Sequence, residues 1–234
     1  MTSEVGALLR HARVKRGISL RSLAGEIGVS PSLISQVETG KTQPSVSTLY
    51  AISNFLGLSM DDLLNNDPLS DGSEPTSAEA NRAHAHPPVQ RASDNATLEM
   101  DNGVRWEQLA TGSGGPGEPL LVTYSPGASS SIEGKFMRHA GFEYAYIIEG
   151  ELTLQLEFDT YVLQAGDSLQ FDALRPHMYT NHSSQAARGV WNVVGRRQQI
   201  QSLPDAPAKA ARKGRRGLTS AVDVLQAMQD GQPD

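Results

Sequence analysis

Residues 19–57, SLRSLAGEIGVSPSLISQVETGKTQPSVSTLYAISNFLG, constrain the fold more than any other stretch, because their helix punctuation admits one local arrangement. Ser19 is placed to cap a helix that Gly28 ends. Ser30 caps a second, with Pro31 at its first position and Gly40 just past its end, and Ser45 caps a third that Gly57 closes. The short Gly28-Val29-Ser30 turn leaves the first two helices steeply crossed, which pushes the second one out of the body. Caps, turn and apolar positions agree over the whole segment.

An earlier helix is expected from about Glu4 to Arg16, with Val5, Leu8, Leu9 and Ala12 on one face and Gly17 as its stop. A fifth starts at Ser59, where Ser-Met-Asp-Asp fits a capping box, and brings Leu63 and Leu64 to the core. The chain of 234 residues has room for two domains, and its character changes after these helices. Residues 67–97 are polar, rich in Pro, Ser and Ala, and without sustained period, so they read as a flexible linker. Residues 98–196 alternate short strand-like runs with turn residues, which implies a β-sandwich or small barrel. The clearest run, EYAYIIEGELTLQLEF, predicts two strands about a tight turn at Gly150, with Leu152, Leu154 and Leu156 on one face. Residues 197–234 form a basic tail that reads as disordered and solvated, with a short helix at Thr219 to Met228.

Composition excludes several classes. With no cysteine there are no disulfides, thiolate metal sites or Cys nucleophile, and the usage matches a reducing cytosol. There is no apolar run of membrane-spanning length, and the first residues enter an amphipathic helix rather than a signal peptide, so a soluble cytoplasmic protein is expected. The net charge of −6 is unevenly distributed. Residues 1–64 carry six Lys/Arg against five acids, whereas the rest of the chain carries 14 against 21. Acids farther than about 10 Å from a phosphate are screened from it, so the acidic total argues only against indiscriminate nucleic-acid binding.

On these residues the N-terminal part resembles the Cro/CI-like (XRE) family, whose five-helix, lambda-repressor-like fold carries a DNA-reading helix-turn-helix; the match covers about residues 5–64. In the recognition helix, about Pro31 to Glu38, Ile34 and Val37 turn inward and leave Ser32, Ser35, Gln36 and Thr39 outward, with Leu33 at the edge. Gln can pair both edge groups of an adenine, Ser can donate or accept, and Leu33 can pack on a thymine methyl. The resemblance makes Ser32, Leu33 and Gln36 base readers, with Ser35 beside them, and sets Thr39 and Lys41 near phosphate. The amides from Ser45 to Ser47, at a helix N-terminus, suit another phosphate. Some relatives carry Gln where Pro31 stands, so one base contact is missing. Arg13 and Glu38 occupy the positions of an internal ion pair in relatives. One such domain makes few base contacts, which implies a homodimer on a two-fold operator, held by the C-terminal half.

The segments HAGFEYAYIIEGEL and GDSLQFDALRPHMYTN resemble the two motifs of the cupin family, an all-β double-stranded β-helix or jelly-roll barrel. His139, Glu143 and Gly150 match the first motif, and His177 and Asn181 the second. Met137 replaces the usual first His, and Asp172-Ala173-Leu174 replaces Pro-x-Gly. Residues 137, 139, 141 and 143 share a face if they form a strand, so His139 and Glu143 can point into the barrel, with His177 arriving from the second motif. Two His and one carboxylate with open positions suit Fe(II), and also Zn, Ni or Mn. The alternative is that the three hydrogen-bond one another in a barrel without metal. Met137, Tyr179 and Asn181 are the expected lining of an effector pocket, whereas Tyr144 and Tyr146 lie on the opposite face, suited to a dimer contact. His84 and His86 in the linker are incidental, His182 reads as a loop residue and His11 as a helix-surface one. The expected protein is a DNA-binding transcriptional regulator, read as a repressor, with a small-molecule effector or divalent metal in its barrel. The layout also resembles hydroxypropylphosphonate epoxidases, which keeps a non-haem iron enzyme as the rival.

Overall fold

The computed structural model describes residues 2–58, 60–65, 89–110, 117–131 and 134–195. Five helices come first: α1 (Thr2–Lys15), α2 (Leu20–Ile27), α3 (Pro31–Glu38), α4 (Val46–Phe55) and α5 (Met60–Asn65). The Ser caps act as their positions imply: the hydroxyls of Ser19, Ser30 and Ser45 accept from the amides of Ser22, Leu33 and Thr48. These bonds satisfy amides that a helix start otherwise leaves open. Gly28 closes α2 in the left-handed conformation at φ 71°. Leu9, Leu23, Ile34, Leu49, Ile52 and Leu63 are fully buried between the helices. The expected capping box at Ser59 lies outside the described residues.

Among the described residues nine strands follow: β1 (Thr97–Glu99), β2 (Val104–Gln108), β3 (Gly117–Tyr124), β4 (Phe142–Glu149), β5 (Glu151–Leu156), β6 (Asp159–Gln164), β7 (Ser168–Asp172), β8 (His177–Thr180) and β9 (Ala187–Val194). They form a six-stranded sheet in the order β1-β2-β3-β9-β4-β7 and a three-stranded sheet in the order β6-β5-β8. Every pairing is antiparallel. Alternation is regular on β2, β3, β5 and β9, so the inward residues make the barrel core.

Two expectations need correction here. Gly150 is not a hairpin turn: β4 pairs with β7 and β9, whereas β5 pairs with β6 and β8. The chain turns a corner there from one sheet into the other, at φ 77°. A Cβ on Gly150 would stand 2.4 Å from the Ala186 carbonyl oxygen, so the corner needs both the positive φ and the missing side chain. The expected linker also ends earlier than residue 97. Gln90 donates to the Gln108 carbonyl and to Asn95, a short 3-10 turn spans Ala92–Asp94, and β1 starts at Thr97. Residues 66–88 and the basic tail after residue 195 lie outside the described residues, and with them His84 and His86.

Helices and barrel belong to one compact unit. The Ser47 amide at the start of α4 donates to the Ser130 carbonyl (2.9 Å), and Lys135 Nζ donates to the Gly28 carbonyl (3.1 Å). Tyr50 of α4 lines the barrel's pocket beside Trp106 and Tyr179.

Candidate functional site

On the helical side, α3 is anchored from beneath. Ile34 and Val37 are 1% and 2% exposed, which forces the intervening side chains out. Ser32, Gln36 and Thr39 are exposed, and Leu33 and Ser35 half-buried at the edge. The Thr39 hydroxyl donates back to the Ser35 carbonyl, and Gln36 Oε1 accepts from the Thr42 hydroxyl at 3.5 Å. Arg13 meets Glu38 in a bidentate pair, Nε to Oε1 at 2.5 Å and Nη2 to Oε2 at 2.8 Å, and its Nη1 donates to the Ile18 carbonyl. Both residues are buried, so the pair fixes α3 to α1 rather than facing solvent. Glu38 in turn raises the Arg13 pKa by hydrogen bonding, against the lowering effect of burial.

The expected phosphate contact at Ser45 to Ser47 is engaged elsewhere. Ser45 is buried, its hydroxyl accepts from the Thr48 amide, and the Ser47 amide donates to Ser130 of the barrel. Lys41 is exposed, as a phosphate contact requires.

Inside the barrel, His139, Glu143 and His177 converge: one ligand atom from each lies within 4.8 Å of the others, and all three residues are buried. The route to this cluster differs from the expected strand. Regular pairing of β4 begins only at Phe142, Gly141 has φ 105°, and Met137 makes only an isolated bridge to His177. His139 is held instead by its amide, which donates to the Ala173 carbonyl, while the Ala173 amide donates to Gly141.

Glu143 has its partners on both oxygens. Tyr179 donates to Oε1 at 2.6 Å, and His139 Nε2 lies 3.1 Å from Oε2. His177 Nε2 stands 3.4 Å from the same oxygen, without the alignment of a hydrogen bond. Burial alone would raise the Glu143 pKa, but the two imidazoles hold the carboxyl well below its usual range. For His177 burial lowers the pKa, and the facing carboxylate outweighs it and raises it. Burial, with the Glu143 charge adding to it, pushes the Tyr124 and Tyr179 phenols up, so both remain protonated donors.

The donor set fits a divalent metal. His177 Nδ1 is 2.8 Å from the Arg175 carbonyl and His139 Nδ1 3.3 Å from the Ala140 carbonyl, and a carbonyl only accepts. Each ring therefore carries its proton on Nδ1 and turns Nε2 toward a carboxylate, which is also an acceptor. Such a ring needs a second proton or a metal at Nε2, and carbonyl-oriented imidazoles are the usual support of metal ligands.

Of the expected pocket residues, Met137 and Tyr179 line the space above this cluster. Asn181 does not. Its amide nitrogen donates to the carbonyls of Tyr124 and Gln185, and its oxygen accepts from the amide and hydroxyl of Ser183, so it builds a turn. The rest of the lining includes Trp106, Tyr124 and Trp191 from the large sheet, and Val46 and Tyr50 from α4. Tyr50 stacks on His139, with ring centres 4.3 Å apart and planes 9° from parallel, and meets Trp106 edge-on at 5.5 Å. The sequence carries no signal for this contact, because Val46 and Tyr50, one turn apart, read equally well as core of the helical bundle.

Comparison with known proteins follows the same division. A helix-turn-helix family model (HTH_3) matches residues 9–63, and a cupin-domain model (Cupin_2) matches residues 120–193. The HTH-type transcriptional regulator PuuR of Escherichia coli is 28% identical over 186 residues, which cover 78% of this chain and 90% of that protein. SutR, another HTH-type transcriptional regulator of the same organism, is 26% identical over 178 residues, covering 76% and 86%. A solved HTH_3 family transcriptional regulator from Vibrio cholerae superposes with a TM-score of 0.58 at 20% identity, over 82% of this chain and 96% of that one, which shows a shared fold.

Proposed function

We propose that this chain, an XRE-type helix-turn-helix domain followed by a cupin domain and homologous to PuuR-type regulators, is a cytoplasmic, homodimeric repressor that reads a two-fold DNA operator and answers to an occupant of its barrel. The observation that carries this reading is α3. Two inward anchors and the buried Arg13–Glu38 pair hold it rigid, and they leave Ser32 and Gln36 in solvent where base edges would be met. Ser32, Leu33, Ser35 and Gln36 are its base-reading set, with Thr39 and Lys41 toward phosphate. Ser45 and Ser47 join them only when α4 leaves the barrel.

Dimerisation is assigned to the outer face of β4, where Phe142, Tyr144, Tyr146 and Ile148 are 43–51% exposed in an unbroken stripe. Selection of bound duplexes from a random pool tests the whole reading. A palindromic consensus with half-sites about one helical turn apart is the expected result, and binding without any consensus would refute it.

His139, Glu143 and His177 would hold a divalent ion, Fe, Zn, Ni or Mn, and a bound ion would supply an open coordination position for an effector. The same cluster keeps a second reading in view, an iron-dependent oxygenase. Metal content separates the two: iron at about one per chain with substrate-dependent oxygen uptake would favour the enzyme. Zn, Ni or Mn, or no metal, favours the regulator.

A further inference from the structure

The slot between His139 and Trp106 is a place for a flat ring, and the ring in it does not come from the barrel. Tyr50, from the helical half, lies parallel to the imidazole at 4.3 Å and presents itself edge-on to Trp106, the two arrangements aromatic rings prefer. It is 5% exposed, so the pocket is closed by α4. Around the slot, polar ties join helices and barrel: Ser47 to Ser130, Lys135 to Gly28, and Asn54 reaching the Arg138 carbonyl at 3.5 Å.

We propose that Tyr50 is a built-in stand-in for the barrel's ligand, and that the natural occupant is a small planar ring compound that enters by displacing Tyr50 and lifting α4 from the mouth. The exchange is nearly like for like, since an incoming ring recovers the stacking on His139 and the edge contact with Trp106 that Tyr50 gives up. The occupant must also break the ties that hold α4 to the barrel, the Ser47 to Ser130 bond among them. Undocking also returns the Ser47 amide, now bonded to Ser130, to the start of α4. The proposal rests on reading the barrel as an effector site and names the chemistry of that effector.

The test uses the full chain and its own optical reporters. Its two tryptophans, Trp106 and Trp191, both line the slot. The probe is p-cresol, which is the tyrosine side chain itself, followed by tryptophan emission. Tyr50→Ala, with no lid to displace, is expected to bind p-cresol about tenfold or more tighter than the wild type, while Tyr50→Phe, which keeps the ring, binds it more weakly than Tyr50→Ala does. Cyclohexylmethanol, of similar size but not planar, is expected to bind Tyr50→Ala far more weakly.

If Tyr50→Ala fails to fold, a second comparison keeps Tyr50 in place. Because the chain has no cysteine, Asn54→Cys with Arg138→Cys can be bridged by a short bismaleimide to hold α4 down. Bridging should abolish p-cresol binding, and the unbridged double variant should retain it. Equal p-cresol affinity for Tyr50→Ala and wild type, equal affinity for the non-planar probe, or binding unaffected by the bridge would each overturn the proposal. Duplex binding by the wild type is scored separately. A chain that binds DNA but ignores p-cresol loses the lid and keeps the regulator. A chain that shows the p-cresol pattern without DNA binding does the reverse.

Discussion

Arg13 and Glu38 are buried between α1 and α3 and hold up a helix whose proposed base readers are exposed or half-buried at its edge, whereas Glu143, His139 and His177, the proposed ligand set, are themselves buried in the barrel. In the first region the buried charges are scaffold and the proposed base readers lie on one helix of eight residues. In the second the candidate site is internal and assembled from positions 50, 139, 143, 177 and 179, which come from α4, a loop, β4 and β8. A surface reader can be changed one side chain at a time. A buried site cannot, because each member also satisfies another.

The sharpest way to break this division is Gly150→Ala, whose Cβ would meet the Ala186 oxygen at 2.4 Å and the Ala187 Cα at 2.7 Å. Overpacking against backbone at a positive φ is expected to destabilise the barrel by roughly 4 kcal/mol. The near-ultraviolet circular dichroism of Trp106 and Trp191 should melt early while the helical signal at 222 nm persists; simultaneous melting would mean that the halves stand or fall together.

Arg13→Ala is the mirror experiment. It strands Glu38 in the core, and breaking a buried pair costs roughly 3 kcal/mol, here in the helical signal first. Tyr179→Phe removes the donor to Glu143 and is expected to cost about 2 kcal/mol of barrel stability by denaturant titration. It should also weaken metal binding about tenfold or more, and an unchanged metal affinity would place Tyr179 outside the support of the site. The smallest effect belongs to the surface. Gln36→Ala should leave the melting curve untouched and lose about 1–2 kcal/mol of discrimination between preferred and scrambled duplexes. A comparable loss on every sequence would remove Gln36 from the readers.

This division also explains what could be read in advance. The limits of α3 and its inward and outward residues follow from Ser30, Pro31, Ile34 and Val37, all within one helix, so local chemistry decided them. The His139, Glu143, His177 cluster was legible because two short motifs carry it. The corner at Gly150 was not, since a Gly between two strand-like runs looks the same whether the strands pair with each other or part into different sheets. Asn181 was misplaced for a similar reason: it lies next to β8 in the chain, but its amide is turned into the Ser183 turn. Tyr50 escaped altogether, because its partners His139 and Trp106 are remote in sequence and no periodicity connects a helix to a distant barrel mouth.

The position of β9 has a consequence in time. This strand, Ala187–Val194, is the last described element of the chain, yet it lies in the middle of the large sheet, between β3 and β4. Until it emerges from the ribosome the sheet exists only as separate pieces, β1-β2-β3 on one side and β4-β7 on the other. The helical half has no such wait, since α1 to α5 pack among themselves as soon as they are made. During synthesis, then, the helices that carry the proposed DNA-reading face are finished while the barrel is still open, and Tyr50 has nowhere to dock. The nascent chain passes through the undocked arrangement before it can reach the docked one, and the closing of the barrel by its last strand is the event that first makes Tyr50 a lid.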